Sequence, residues 1–585
     1  MRPPRPLSRR PERPGGRADP ASAIPAPPLA PARAPVLEVP LGTLLLAAVV
    51  AGGAALRLAG LDAFSLTVRE AAQAFPAWAA AQGVRPPGWA ADATSVLTAY
   101  LFRAGADGDG WARLVSALAG ALLVPTVYLL ARPGGRGVAF LAAALVAFSP
   151  PALAASRTAL PGALGGLLAV LLGAALLRAW QRPQPASLLA VGQAAGLCLG
   201  TDAVGMTGLL ACVLFLATSA WADESAWAAA RASLRRWAWA LALGLAPGVL
   251  LSAVHWGAGA QSALAAPRLW ADLFALPRAD SPALPLVSLL AYDWPLTLLG
   301  LGGAALLLGR IWRQGGLAAL APWERLALCW LAPALLLVLA GTRVHEGALL
   351  AVVIPLACLG ARAVAWGLDC LPWADLRRSW PLTVLAVACL GAMGILWTLW
   401  SRPFARVSAA EAWGAWLAAV ALTWGVWLGW RWWRAGMAPA LALAVAGLAV
   451  AFWPHSLWAV GFHGGAEPLL GARYTFGAGQ IERSLPQAPT PEMPLALSPA
   501  AADLLGWQFR HLPLSVGDPP PQSSVYIAIA GEATPRGFSL HGGPTAVARD
   551  WRWDSDGLRF WRWLLLREPY GPSRDLSVQV MVRTP

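Results

Sequence analysis

Several polar side chains stand at the ends of long apolar stretches, where their types could do chemistry. They are Arg69 with Glu70, Asp92, Ser156 with Arg157, Asp202, His255, Asp293, and the run Arg343, Val344, His345, Glu346. An ionisable group at membrane depth is costly unless paired or wetted, so each is a candidate for function by default. A carboxylate such as Glu70 could deprotonate a hydroxyl as a general base. Arg69, Arg157 and Arg343 keep their charge and present a planar fork of donors suited to an oxyanion.

Each residue also has a plainer reading. Glu70 could be an ion pair with Arg69 or a solvated loop carboxylate, and Asp202 and Asp293 lie where helix N-caps are expected. His345 and Glu346 offer two donor atoms at a membrane boundary, which is thin support for a divalent metal and fits interfacial polarity. No cofactor follows from the sequence, and His511 and His541 have no partner spacing. The chain contains no Lys, which excludes Schiff-base chemistry and a P-loop lysine. Its six Cys lie in or beside apolar segments without metal-ligand spacing, so neither disulfides nor structural zinc are expected.

The elements that must position these residues are membrane spans. Of the 585 residues, 57% are hydrophobic and 13% charged, against about 25% charged in an ordinary soluble domain. The apolar residues come in blocks long enough to cross about 30 Å of hydrocarbon as helices. Spans are predicted near 38–58, 110–131, 137–153, 161–180, 185–200, 203–221, 236–255, 291–309, 326–342, 346–366, 380–400, 411–430 and 437–457. Arg132, Arg136, Arg178, Arg182, Arg231, Arg235, Arg236, Arg310, Arg313, Arg325, Arg377, Arg378, Arg431 and Arg434 then fall on the side of the Arg-rich N-terminus. The positive-inside rule makes that side cytoplasmic and the C-terminus external. The net charge of +14 is thereby spent on orientation, and nucleic acid is not an expected partner.

The expected architecture is mainly α: a polytopic transmembrane helical bundle of about thirteen spans with a small external C-terminal α/β domain. Residues 1–35, rich in Pro, Ala and Arg, are expected to be a disordered cytoplasmic tail. The segment 36–462 forms the membrane domain, with long external loops at 59–109 and 256–290, the first carrying surface helices near 67–82 and 93–105. Residues 463–585 turn polar and Pro-rich, with a helix-like SPAAADLLGWQFR and strand-like SSVYIAIA and LSVQVMV. Trp430, Trp432 and Trp433 suit an interfacial aromatic belt.

The first loop reads LRLAGLDAFSLTVREAAQAFPAW. It resembles the membrane glycosyltransferases of the GT-C fold, and within them is most similar to the prokaryotic flippase-activity-associated family, relatives of protein O-mannosyltransferases and aminoarabinose transferases. Arg57 and Leu58 match the family's opening, and Arg69 and Glu70 stand where it has Asp-Glu. Ser156 and Arg157 match a Ser-Arg, Thr201 and Asp202 stand at a Lys-Glu, Tyr292 and Asp293 resemble a Tyr-Glu, and Arg343 matches a basic residue near the lipid-facing cavity. Arg567, Glu568, Pro569 and Tyr570 resemble a C-terminal segment, so the likeness runs along nearly the whole chain in order.

The resemblance implies transfer of a sugar from a polyprenyl-phosphate carrier on the external face of a cell membrane. Glu70 would be catalytic, and Arg69, Arg157, Asp202, Asp293, Arg343 and His345 would bind substrate or phosphate. Two departures cut against it: the family's catalytic Asp falls at Arg69, which cannot accept a proton, and an acidic residue expected shortly after Ser-Arg falls around Pro161 and Gly162. A second reading is therefore a weakened relative that binds lipid-linked sugar or assists its export. A third is a secondary transporter, which lacks the interrupted-helix repeats expected of one.

Overall fold

In this computed structural model the structure describes residues 40–84, 92–254, 284–340, 346–369, 469–485, 489–551 and 573–584, with isolated residues between. The predicted tail, most of the second external loop and the predicted spans at 380–400, 411–430 and 437–457 lie outside them, as do Trp430, Trp432 and Trp433. The chain divides into Met1–Leu45 and Leu46–Pro585.

Among the described residues, seven helices are long and apolar enough to cross a membrane, or eight if one bent pair is a single span. Helix α1 is Leu41–Leu58 and is followed by two shorter helices, α2 (Val68–Ala81) and α3 (Ala93–Arg103), at the positions where the first loop was expected to be helical. The membrane helices continue with α4 (Asp109–Ala131), α5 (Arg136–Ala147), α6 (Pro150–Arg157), α7 (Gly162–Gln181), α8 (Pro185–Leu199), α9 (Ala203–Ala222) and α10 (Glu224–Val254). They end with α11 (Leu284–Gln314), α12 (Pro322–Ala340) and α13 (Glu346–Asp369).

Three spans differ from the straight helices predicted. The one expected at 137–153 breaks into α5 and α6 at a 58° bend, because Ser149-Pro150-Pro151 removes two N–H donors there. Helix α10 is kinked at Trp237 and α11 at Asp293, two residues before Pro295. The fifth expected span, α8, is only 15 residues long and pairs with α10 at backbone contact. A Cβ added at Gly192 would lie 2.2 Å from the Leu241 carbonyl oxygen, and one at Gly244 would lie 2.1 Å from that of Leu189. Gly196 and Gly248 extend the same contact, so a G-x-x-x-G on each helix sets the crossing.

The C-terminal region is a seven-stranded mixed sheet: β1 (Arg473–Tyr474), β2 (Leu495–Leu497), β3 (Leu514–Val516), β4 (Val525–Ile529), β5 (Phe538–Leu540), β6 (Thr545–Trp551) and β7 (Ser573–Arg583). Strand order is β1-β6-β7-β4-β2-β3, with β5 also on β7; β2 pairs in parallel with β3 and β4, and the remaining pairings are antiparallel. Helices α14 (Gly477–Ser484) and α15 (Pro499–Leu505) pack on it. The sheet does not close its core alone. Leu66, Ala71, Ala74, Phe75 and Phe102 of the first loop share one buried cluster with Leu495, Leu505, Trp507, Phe509, Val525 and Val578. Trp507 seals the join: its Nε1–H donates to Asp109 at 2.8 Å and its ring lies 5.6 Å from that of Phe102.

Candidate functional site

The first loop is held against the membrane helices by two residues, Glu70 and Arg113. The T-x-x-E sequence Thr67–Glu70 is a capping box: Glu70 N–H donates to Thr67 Oγ1 at 3.3 Å, and Glu70 Oε2 accepts from Thr67 N–H at 2.8 Å. Helix α2 therefore starts with the carboxylate turned inward, 1% exposed. Arg113, in the first turn of α4, meets it through two bonds, Nε to Oε1 at 2.6 Å and Nη2 to Oε2 at 2.9 Å. The Ala159 N–H adds a fourth at 3.0 Å. The remaining N–H groups of Arg113 donate to the carbonyls of Leu61, Phe64 and Ser65, so all five of its donors are used.

These contacts decide what Glu70 can do. Burial pushes its carboxyl upward, but the charge and hydrogen bonds of Arg113, with the Thr67 and Ala159 N–H groups, outweigh this and hold it below the usual carboxylate range. With four bonds on two oxygens, the carboxylate has no lone pair directed at an acceptor. Its partner is Arg113 and not the neighbouring Arg69, which is exposed and lies against Gly471, itself at φ +78°.

Two further arginines stitch the site to α1. Arg57, fully buried, donates from Nε to Ser156 Oγ at 3.2 Å and from its Nη atoms to the carbonyls of Gly53, Val146 and Ala147. The last two sit at the C-terminal end of α5, where the helix dipole favours a cation. Arg157 donates to the carbonyls of Leu56, Ala59 and Gly60 at 2.6–3.0 Å, and so closes the end of α1. Thus Arg57 and Ser156, 99 residues apart and recognised as separate motifs, are in contact.

Arg113, Arg157, Arg473 and Glu70 line one small cavity with Thr67, Thr158, Phe64 and Leu470. Its volume is about 30 Å³, room for a single oxygen-sized atom. Glu70 and Arg157 thus line one cationic space, whereas Arg69 lies outside it against Gly471, the neighbour of the lining residue Leu470. The other expected site residues lie elsewhere. Asp202 caps α9 by accepting from the Gly205 N–H at 3.2 Å, and Asp92 caps α3 and accepts from Gln73 at 2.7 Å. Burial, followed by the nearby Asp92 charge, pushes the Asp202 carboxyl up to about 7 against the pull of the Gly205 N–H. Asp293 is buried at the α11 kink, and its carbonyl accepts from Thr297 Oγ1 at 2.8 Å. Arg343, His345, His255 and the Arg567–Tyr570 segment lie outside the described residues, and of Glu346 only the helical backbone is described. Among the described residues no cluster of three His, Cys, Asp or Glu could hold a metal.

A family model described as dolichyl-phosphate-mannose-protein mannosyltransferase matches residues 93–249. The chain is similar to ArnT from Cupriavidus metallidurans bound to undecaprenyl phosphate, at 17% identity and a TM-score of 0.51, covering 93% of this chain and 98% of that one. Against ArnT in the apo state the values are 18% and 0.50, with 83% and 92% covered. Against the archaeal oligosaccharyltransferase AglB from Archaeoglobus fulgidus, in complex with an inhibitory peptide and a dolichol-phosphate, they are 11% and 0.50, with 83% and 69% covered. No curated protein matches the sequence. The chain is a multi-pass membrane protein with the GT-C fold of the membrane glycosyltransferases.

Proposed function

We propose that the protein takes a polyprenyl-phosphate-linked sugar from the outer leaflet and transfers the sugar to an acceptor on the external face, its N-terminus cytoplasmic and its C-terminus external. The observation that carries this reading is the cavity lined by Arg157 and Arg473 beside the Arg113–Glu70 pair, beneath the first loop, in a chain with the fold of ArnT, which was solved with undecaprenyl phosphate. Negative charge grows on the phosphate as the sugar departs, and pre-placed guanidinium groups stabilise it without reorganising. The cavity admits one oxygen, so the phosphate sits at its mouth with one oxygen directed inward. Arg69, exposed beside Gly471, adds a cation on the same side.

Glu70 acts in this proposal through Arg113, as a positioning residue. A base works best with a pKa near the working pH, and Glu70 is held further below that optimum than an ordinary carboxylate. Asp293, Arg343 and His345 stay as proposed contacts to the sugar or its phosphate, and Asp202 as a residue that orders the start of α9. The saturation of Glu70 and the arginine at position 69 favour a second reading: a relative that binds lipid-linked sugar for a partner and does not turn it over.

The experiment is donor binding and transfer measured together, with purified protein in nanodiscs and a panel of polyprenyl-phosphate sugars. Binding with transfer of any sugar supports the first reading. Binding without transfer from every donor supports the second, and absence of binding rejects both.

A further inference from the structure

We propose that the groove between the first loop, strand β1 and helix α14 binds a glycan chain as the acceptor of the transfer, an inference that rests on the glycosyltransferase reading. The groove encloses about 600 Å³ and is lined by Ser65, Thr475, Phe476, Gln480, Arg483 and Gln508. That is the size of a small-ligand site, roughly 300–1,000 Å³, whereas the arginine cavity takes one atom. The two spaces are neighbours. Phe64 and Arg473 line the cavity, and the next residue of each segment, Ser65 and Tyr474, lines the groove.

The lining has the chemistry of sugar recognition. Phe476 is 92% exposed, an unusual place for a large aromatic ring outside the membrane helices. It precedes α14 by one residue, so Phe476, Gln480 and Arg483 follow the i, i+4, i+7 spacing of one helix face. That face is fixed from behind. Gly477 packs so close to β6 that an added Cβ would lie 1.9 Å from the Ala546 carbonyl oxygen, and Ala478 and Ile481 are buried. An aromatic ring stacks on the C–H face of a pyranose, and amide and guanidinium groups pair with its vicinal hydroxyls. The side chains of Gln480, Arg483 and Gln508 make no hydrogen bond or ion pair among the described residues, so their donors face the groove or water. Among the described residues no carboxylate lines the groove, which argues against a cation.

The test uses the full chain in nanodiscs, probed by saturation-transfer NMR with neutral, amino-sugar and uronic-acid oligosaccharides and with a Ser/Thr-rich peptide. Gly479 supplies a blocking variant, because a Cβ there meets nothing within 4 Å and the helix tolerates a side chain. At least one oligosaccharide should bind, and both Phe476→Ala and Gly479→Trp should weaken it tenfold or more. Undecaprenyl-phosphate binding and thermal unfolding should stay as in the parent. If Gly479→Trp unfolds, Gln480→Ala with Phe476→Ala serves instead. The proposal is overturned if no oligosaccharide binds, if both variants bind it as well as the parent, or if the variants lose the peptide and not the sugar. Glycan binding without transfer would leave the groove standing and sink the transferase reading; transfer unaltered in both variants would do the reverse.

Discussion

Replacing Glu70 with Gln tests whether the carboxylate is there for Arg113 or for a substrate. Glutamine keeps the shape but has one acceptor atom where the carboxylate has two. Each Glu70 oxygen takes one Arg113 bond and one backbone N–H, so the amide N–H₂ meets a guanidinium N–H together with the Thr67 or the Ala159 N–H; one bond of each kind is lost, and the Arg113 bond that remains loses its charge assistance. The side chains of the pair are 8% and 1% exposed, and removing one member of a buried pair costs about 3–5 kcal/mol. Arg113 retains the Leu61, Phe64 and Ser65 carbonyls, which places the cost near the lower end. Arg113→Met should be comparably destabilising, and the double variant should be less so than the sum, by about 1–3 kcal/mol. The assay is reversible denaturation in bicelles with all four members of the cycle. The sign with pH is fixed too. Because the carboxyl is held below its ordinary value of 4.5, the pair's contribution is complete above about pH 4.5 and is lost as pH falls through the lower folded value, and Glu70→Gln should flatten that acid limb. A Glu70→Gln protein within about 0.5 kcal/mol of the parent, the scatter of ordinary surface changes, or a strictly additive cycle, would refute the reasoning.

Other outcomes follow from the same geometry. Gly192→Ala and Gly244→Ala should each destabilise by about 1–3 kcal/mol through backbone overlap of α8 and α10. Gly302→Ala, with open space around the added carbon, should be neutral or stabilise by up to about 1 kcal/mol, and unfolding of the three variants side by side checks both claims. Asp202→Asn should hold α9 as well as the parent, since Asn caps equally well. Because the Asp202 carboxyl is raised to about 7, the parent loses stability as pH climbs from about 4 to 7, and the melting-temperature difference between variant and parent should grow in the variant's favour from pH 5 to pH 8. Trp507→Phe keeps the ring against Phe102 but removes the donor to Asp109 at 2.8 Å. It should cost about 1–3 kcal/mol and raise hydrogen exchange in α2 and α15 together.

The parts of the molecule written in hydrophobic period were legible from the sequence. Apolar block length placed α1, α4, α7, α9 and α13 within a few residues, and the two shorter helices of the first loop emerged where expected. The break between α5 and α6 was not foreseen, although Pro150-Pro151 announces it. The pairing of Glu70 with Arg113 was hidden because contact across 43 residues leaves no trace in spacing. The Thr67–Glu70 capping box and an arginine in the first turn of a span were nonetheless visible signals. The docking of the C-terminal sheet on the first loop could not be read at all: Trp507 and Asp109 are 398 residues apart, and each suits an ordinary solvated surface. The G-x-x-x-G sequences at Gly192–Gly196 and Gly244–Gly248 stand plainly in the chain but were not read as a helix pairing, because spacing does not say which helix is the partner.

The central claim is that the arginines beneath the first loop recognise the phosphate of a polyprenyl carrier. It is tested most directly by native mass spectrometry of the purified protein with equal amounts of undecaprenyl phosphate and undecaprenol. The account predicts at least tenfold preference for the phosphate, weakened by rising salt and by Arg473→Gln with Arg69→Gln; equal retention of the two lipids, or a preference untouched by that double variant, would contradict it.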